Sequence, residues 1–471
     1  MKNNSEFRPL LEQTVKHALT HLENLNNTSV AATSTLQQLR ERLSKKLCDD
    51  GMGATKVIDE LVADTSGGLI GSTGGRFFGW AIGGSVPASL AADWLTSVWD
   101  QNACLYAAGP AVSVIEEVCG MWLKDLLGLP ATAGFALVTG SQMAHSTCLA
   151  AARHSLLAKR NWDVERKGLN GSPQIRILTS REKHGSVERA VRMLGLGSDS
   201  IIELPADENG KLKIDSLASE LKSQPDAATI VVLHAGDLNI GAYDSFSEII
   251  PVAHKYNTWV HVDGAFGLWA AASPQYKHFL KDYDLADSWA TDGHKWLNVP
   301  FDCGYAFIAD SKAHRDSISI SASYLIHNED ARDELNWTVV WSRRGRGVAT
   351  YAAIRQLGRK GIADLIDRTC KHAYDLVTRI GKLERVEILW MPKINQGLVR
   401  FKNPSPNSTE TDHYSYTEKI MEEVRKSGEA FFTGTTWHGK RCMRVSVMNW
   451  QTNDEDINRA VAAVKHALEK N

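Results

Sequence analysis

The chain has 471 residues, 43% hydrophobic and 23% charged, with a formal net charge of -2. That is enough sequence for a large core and more than one structural unit, and it carries no bulk charge to draw it toward nucleic acid or an anionic membrane. The polar start MKNNSEFRPL lacks an apolar signal core. Gly83, Gly84, Pro87 and Asp93 interrupt the apolar stretch from Phe77 to Leu95, and the seven cysteines include no CxxC pair. These features predict a cytoplasmic protein with reduced thiols, without a membrane span or a disulfide framework.

Leu11, Val15, Ala18, Leu19 and Leu22 form a helical stripe in the first 75 residues. A segment of this kind has to bury that stripe against another surface. Ser113 to Glu116 and Ser245 to Glu248 both match a capping box and predict helix starts. Apolar-rich segments predict strands at 135–138, 175–178, 230–233, 259–262 and 305–308, the region 288–291 reads as a further one, and helices lie between them. Strands alternating with helices predict a mostly parallel α/β sheet whose ligands sit beyond the carboxyl ends of the strands. From about residue 360 the pattern changes, and strand 443–447 and helix 454–468 predict a smaller α+β domain. The predicted divisions are 1–75, 76–358 and 359–471.

Asp263 follows a predicted strand in WVHVDGA, and Lys295 lies 32 residues later in TDGHKW, with another strand between them. Taken singly, each has a plainer use: a helix cap or salt bridge for the acid, a solvated surface position for the amine. As a pair at one sheet edge they match what pyridoxal 5'-phosphate needs. The lysine forms an imine with the cofactor aldehyde, and the aspartate keeps the pyridine nitrogen protonated so that the ring accepts electrons. Gly140, Ser141 and Gln142 lie between a strand and a helix start, where backbone N–H groups and the helix dipole favour a phosphate, although taken alone a plain Gly/Ser turn before a helix is the commoner use of such a segment. His184 reads either as a helix-cap or surface histidine or as an imidazole stacked on the pyridine. Arg76 is a candidate partner for a substrate carboxylate, although an exposed arginine is more often simply solvated. Gly71 to Gly74 does not make a dinucleotide fingerprint, and no metal-ligand spacing occurs.

The motifs HVDGAFG, DGHKWLN, TGSQMA, KHGSVERA and WSRRGRG occur in an order that resembles the group II pyridoxal-phosphate-dependent amino acid decarboxylases, the family of the aromatic-L-amino-acid and glutamate decarboxylases. The resemblance implies a fold type I, aspartate-aminotransferase-like architecture with a seven-stranded sheet and a smaller C-terminal domain. It implies a homodimer with active sites at the interface, an amino acid substrate, and no nucleic-acid or membrane partner. It makes Lys295 the Schiff-base lysine and Asp263 the partner of the pyridine nitrogen. Ala265 would lie beneath the ring and His184 above it. Ser141 and Gln142 would bind phosphate with His294 nearby, and Ser342 would approach it from the partner subunit. Phe77, Phe78, Trp80 and Asn102 fall where the family builds its substrate pocket, although core packing accounts for Phe77 and Phe78 equally well.

Two departures stand out. Gly236-Asp237-Leu238, preceded by His234, replaces the family's Gly-Thr-Thr turn. The stretch from His327 to Trp337 has no tyrosine where aromatic amino acid decarboxylases carry their proton donor, and Tyr324 does not align with it. The expected reaction is decarboxylation of an L-amino acid to its amine and CO2. The missing tyrosine keeps two others open: oxidative decarboxylation–deamination to an aldehyde, and aldol-type C–C cleavage.

Overall fold

The computed structural model describes residues 6–320 and 330–471. Tyr324 and residues 327–329 of the tyrosine-free stretch lie outside the described residues. The chain forms two compact units, one of residues 81–371 with 392–397, the other of residues 1–80 with 372–391 and 398–471. The N-terminal segment therefore belongs to the same unit as the C-terminal region, a different division from the three consecutive segments expected. The helix Gly347–Ile380 kinks at Gly358, whose φ of 60° suits a residue without Cβ.

The larger unit carries a seven-stranded sheet. Its strands are β1 (Gly134–Val138), β2 (Ile175–Ser180), β3 (Ile201–Leu204), β4 (Ala228–His234), β5 (Trp259–Asp263), β6 (Ser288–Asp292) and β7 (Gly304–Ile308), in the order β1-β7-β6-β5-β4-β2-β3. Only β7 runs against its neighbours. β3, the strand the sequence reading missed, is the short edge strand, and three of its four residues are partly or fully exposed. The inner strands β4, β5 and β6 are buried along their whole length, which is why β4 reads as the apolar run Ile230 to Leu233 rather than as alternation, and why β5 and β6 hold polar residues such as His261 and Ser288 inside the core. The helix Ser141–Ala158 lays Ala144, Cys148, Ala151 and Ala152 against Ala136, Ala290 and Ala306 of the sheet. Small side chains on both surfaces let the helix approach closely and bring its N-terminus to the strand ends.

Neither expected capping box forms. Pro110 starts its helix with Gly109 as the cap, so Ser113 is interior, and Glu116 is buried in an ion pair with Arg343, 2.9 Å from Oε1 to Nη1. Ser245 does occupy the cap position before Phe246–His254, but its hydroxyl makes no capping bond.

The smaller unit packs the helices Glu410–Ser427 and Asp454–Glu469 on a four-stranded sheet. Its strands are β8 (Val386–Trp390), β9 (Gln396–Phe401), β10 (Thr433–Trp437) and β11 (Lys440–Ser446). Ile420, Val424, Ile457, Val464, Phe401 and Met443 form its core. Phe78 lies in that core, fully buried and 5.3 Å from the Phe432 ring. Of the two readings left open for Phe78, its side chain follows core packing: it is enclosed by apolar neighbours. Phe77 is buried as well, stacked on Phe431 at 4.8 Å.

Arg76 is also corrected. It is 1% exposed and donates to the carbonyls of Leu25, Asn26, Thr28, Gly428 and Glu429, which ties the N-terminal segment to the loop after Ser427. Both terminal nitrogens are engaged by backbone carbonyls, with Glu429 Oε2 3.8 Å from Nη1, and the buried guanidinium is not available to a substrate carboxylate. The helix Phe7–Asn24 buries no residue, and Leu11, Val15, Leu19 and Leu22 stand exposed. All seven cysteines are free thiols, and among the described residues no helix is long and apolar enough to cross a membrane.

Candidate active site

The carboxyl ends of the parallel strands gather the predicted residues at one edge of the larger unit. Asp263 ends β5, in register with His234 at the end of β4. Asp292 ends the neighbouring β6, and Lys295 follows three residues later. The glycine at 83 lets its segment pass close by, since a Cβ there would stand 1.9 Å from the Lys295 carbonyl.

Asp263 is buried. Burial pushes its carboxyl up, but His145, His234, His184 and Lys295 together outweigh burial and hold it at about 2. It is therefore ionised at neutral pH. Its Oδ1 accepts the Ala265 N–H at 3.2 Å, and Oδ2 lies 3.6 Å from His145 Nε2.

A buried polar chain runs behind it. His145 Nδ1 meets His261 Nε2 at 2.9 Å, His261 Nδ1 meets Ser288 Oγ at 2.9 Å, and Trp259 Nε1 donates to the same oxygen at 2.9 Å. Burial pushes both imidazoles down, His261 to about 3, so both are neutral. One tautomer set satisfies every partner. The Ser288 hydroxyl donates to His261, His261 Nε2–H donates to His145, and the N–H left on His145 Nε2 faces the carboxylate. The opposite set would turn a lone pair toward Asp263.

The helix Ser141–Ala158 presents its N-terminus to the same edge. Gly304 of β7 makes room for the turn that precedes it, because a Cβ there would sit 2.5 Å from Gly140 Cα. Ser141 Oγ and Gln142 Nε2 are buried without a hydrogen-bond partner. Two unpaired donors at a helix N-terminus suit an anion, so the residues present fit the phosphate of pyridoxal phosphate. Lys295 supplies the amine and Asp263 the carboxylate for the rest of the group. His294 lies partly buried beside Asp292, with Nε2 3.7 Å from Oδ1, and burial pushes its imidazole down.

Other expectations fare differently. His184 caps the helix Gly185–Met193 through its Nδ1, which accepts from Ser186 N at 3.2 Å, and it is exposed. Ser342 is exposed beside buried Arg343. Asn102 uses its Oδ1 to accept the N–H groups of Cys104 and Arg343, both at 3.2 Å, so it knits two backbone segments together. Trp80, in the smaller unit, is 49% exposed. Asp237, in the departure from the Gly-Thr-Thr turn, folds the loop on itself by accepting from Asn239, Ile240 and Ala242.

Sequence reasoning missed Asp292 and His145 and gave His234 no role. Asp292 was legible as an acid three residues before the lysine, and His145 as one turn into the phosphate-side helix. His234 is buried with both ring nitrogens unpartnered, which only the fold reveals.

Comparison with known proteins shows what the chain as a whole is similar to. The sequence model described as "Pyridoxal-dependent decarboxylase conserved domain" matches residues 54–403. An aromatic-L-amino-acid decarboxylase of Bacillus atrophaeus is 25% identical, covering 99% of this chain and 96% of the relative. A 4-hydroxyphenylacetaldehyde synthase of Rhodiola rosea is also 25% identical, covering 76% of this chain and 74% of the relative. The crystal structure of Oryza sativa TDC with PLP and tryptamine superposes with a TM-score of 0.93 at 20% identity, covering 100% of this chain and 99% of the other.

Proposed function

This chain belongs to the pyridoxal-dependent decarboxylases, and from that premise we propose that it converts an L-amino acid to its amine and CO2, with pyridoxal phosphate held on Lys295. The observation that carries the reading is the meeting at one sheet edge of Lys295, an ionised Asp263 and two buried, unpaired donors at a helix N-terminus.

Bound there, the cofactor supplies an electron sink for the charge left on the substrate when its carboxylate departs. The protein does the rest. Lys295 anchors the group through its amine. Asp263, held ionised, keeps the proton on the pyridine nitrogen, and the His145–His261–Ser288 chain fixes the carboxylate in place from behind. Ser141 Oγ, Gln142 Nε2 and the N–H groups after Gly140 hold the phosphate, with His294 alongside. Ala265, next to Asp263, supports one face of the ring, and His184 covers the other from its position at the start of its helix. The exposed stripe of Leu11, Val15, Leu19 and Leu22 suits burial against a second copy, and exposed Ser342 serves the phosphate site of that copy.

A second reading rests on the stretch from His327 to Trp337, which has no tyrosine to return a proton to the substrate carbon. Without that proton, molecular oxygen can take the electrons instead. Amino acid, O2 and water then give aldehyde, CO2, ammonia and hydrogen peroxide.

A screen of L-amino acids with the purified holoprotein, measuring CO2, amine, aldehyde and peroxide together, decides between the two. Amine with CO2 supports decarboxylation, and peroxide with aldehyde in place of amine selects the second reading. Borohydride trapping that leaves Lys295 unmodified would overturn both.

A further inference from the structure

The anion site at the start of the helix Ser141–Ala158 already contains a carboxylate. Asp292 is 2% exposed. Its Oδ1 accepts the Ser141 N–H at 2.6 Å and lies 3.7 Å from His294 Nε2, while its Oδ2 lies 3.1 Å from Lys295 Nζ. Its backbone is fixed on both sides. The Asp292 N–H donates to the Ala265 carbonyl at 2.9 Å, and the Asp292 carbonyl accepts from Trp269 Nε1 at 2.9 Å. Only the side-chain torsions are left free to move. A Cβ on Gly140 would stand 3.3 Å from Oδ1, so the turn fits closely around the carboxylate.

The helix N-terminus is thus divided between two kinds of donor. The Ser141 N–H and the Lys295 ammonium already hold an anion that belongs to the chain, whereas Ser141 Oγ and Gln142 Nε2 beside them hold nothing. A phosphate arriving at the free donors meets a buried like charge within a few ångströms, where water screens little. It must either turn Asp292 away, breaking its bonds to Ser141 and Lys295, or bind against its charge.

We propose that Asp292 is a resident anion of the phosphate site, which competes with phosphate for the helix N-terminus and holds the Lys295 amine until phosphate displaces it. The proposal rests on the reading of this site as a pyridoxal-phosphate site and adds a control on cofactor uptake. Asp292 thereby sets a lower affinity for the phosphorylated cofactor than the same site would have with a neutral residue there. It also couples the arrival of phosphate to the release of the amine that must bond the cofactor.

The test uses the full-length chain freed of cofactor by dialysis with hydroxylamine, titrated separately with inorganic phosphate, pyridoxal phosphate and unphosphorylated pyridoxal. Asp292→Asn keeps the size and an oxygen for the Ser141 N–H but removes the charge. It is expected to bind inorganic phosphate and pyridoxal phosphate about ten-fold more tightly or better, with pyridoxal changed by less than about two-fold. Asp292→Ser is expected to shift all three in the same directions, and it decides the matter if Asp292→Asn fails to fold. Unchanged or weaker phosphate binding in the folded variant overturns the proposal. An equal gain for pyridoxal also overturns it, because Asp292 would then act on Lys295 alone. If wild-type protein forms no borohydride-trapped adduct at Lys295, the pyridoxal-phosphate reading falls, while the inorganic phosphate titration still decides whether Asp292 competes with an anion.

Discussion

Both units bury polar side chains, and they use them in opposite ways. In the smaller unit Arg76 is enclosed completely, and backbone carbonyls from two loops meet its guanidinium. At the sheet edge of the larger unit, Ser141 Oγ, Gln142 Nε2 and both nitrogens of His234 are buried with nothing to bond. An unpaired buried donor costs free energy, so a fold retains several of them together only where something else completes the set. The contrast separates a polar group that holds the fold together from one that awaits a ligand, and burial alone does not make that distinction.

The sharpest break of this comparison is Lys295→Ala. It removes the amine on which the site depends and is expected to abolish turnover and the cofactor's absorbance together. Residual turnover at the wild-type rate would remove the site from this edge of the sheet. Arg76→Ala tests the other side. Loss of the guanidinium leaves buried carbonyls without donors, so stability should fall by on the order of 3 kcal/mol, with Tm down by roughly 6 °C or more in thermal melts. Cofactor affinity per folded molecule should stay as it was.

Ser141→Ala should do the reverse. Its hydroxyl bonds nothing within the chain, so Tm should move by less than about 1 °C, while phosphate and cofactor affinity weaken about ten-fold in a titration. A large loss of Tm with unchanged affinity would make Ser141 structural.

The smallest effect is on pH. Burial holds His261 near 3 in the folded chain against an ordinary value of 6.5, so the unfolded chain takes up a proton first as pH falls. The stability tied to His261 is complete above 6.5 and is lost from there down toward 3, at up to ~1.4 kcal/mol per pH unit. Asp263 acts in a lower window. Its folded value of about 2 lies below the usual 3.8, so its contribution disappears only as pH falls through that range. Melting curves between pH 7 and 5 should therefore fall less steeply for His261→Gln than for the wild-type chain. Equal slopes would mean that His261 is not held neutral.

Much of the larger unit could be read from the chain itself. An uninterrupted apolar run marked β4 because a strand covered on both faces needs no alternation, and short motifs at the strand ends placed Asp263, Lys295 and the Ser141 turn. The family resemblance extended that reading to the cofactor. Local pattern failed where a residue's partner lay far along the chain. Glu116 looks like a capping residue until Arg343 is seen beside it. Arg76 looks exposed until carbonyls more than 350 residues away close over it, and Phe78 looks like a pocket residue until Phe432 meets its ring. His145 and Asp292 belong to the same class: their importance comes from the parallel sheet, which sets strand ends distant in sequence side by side. The order of residues determined which chemical groups the molecule has and which strands carry them. The tertiary structure decided which of those groups are paired and which are left open, because pairing depends on neighbours that only folding brings within reach.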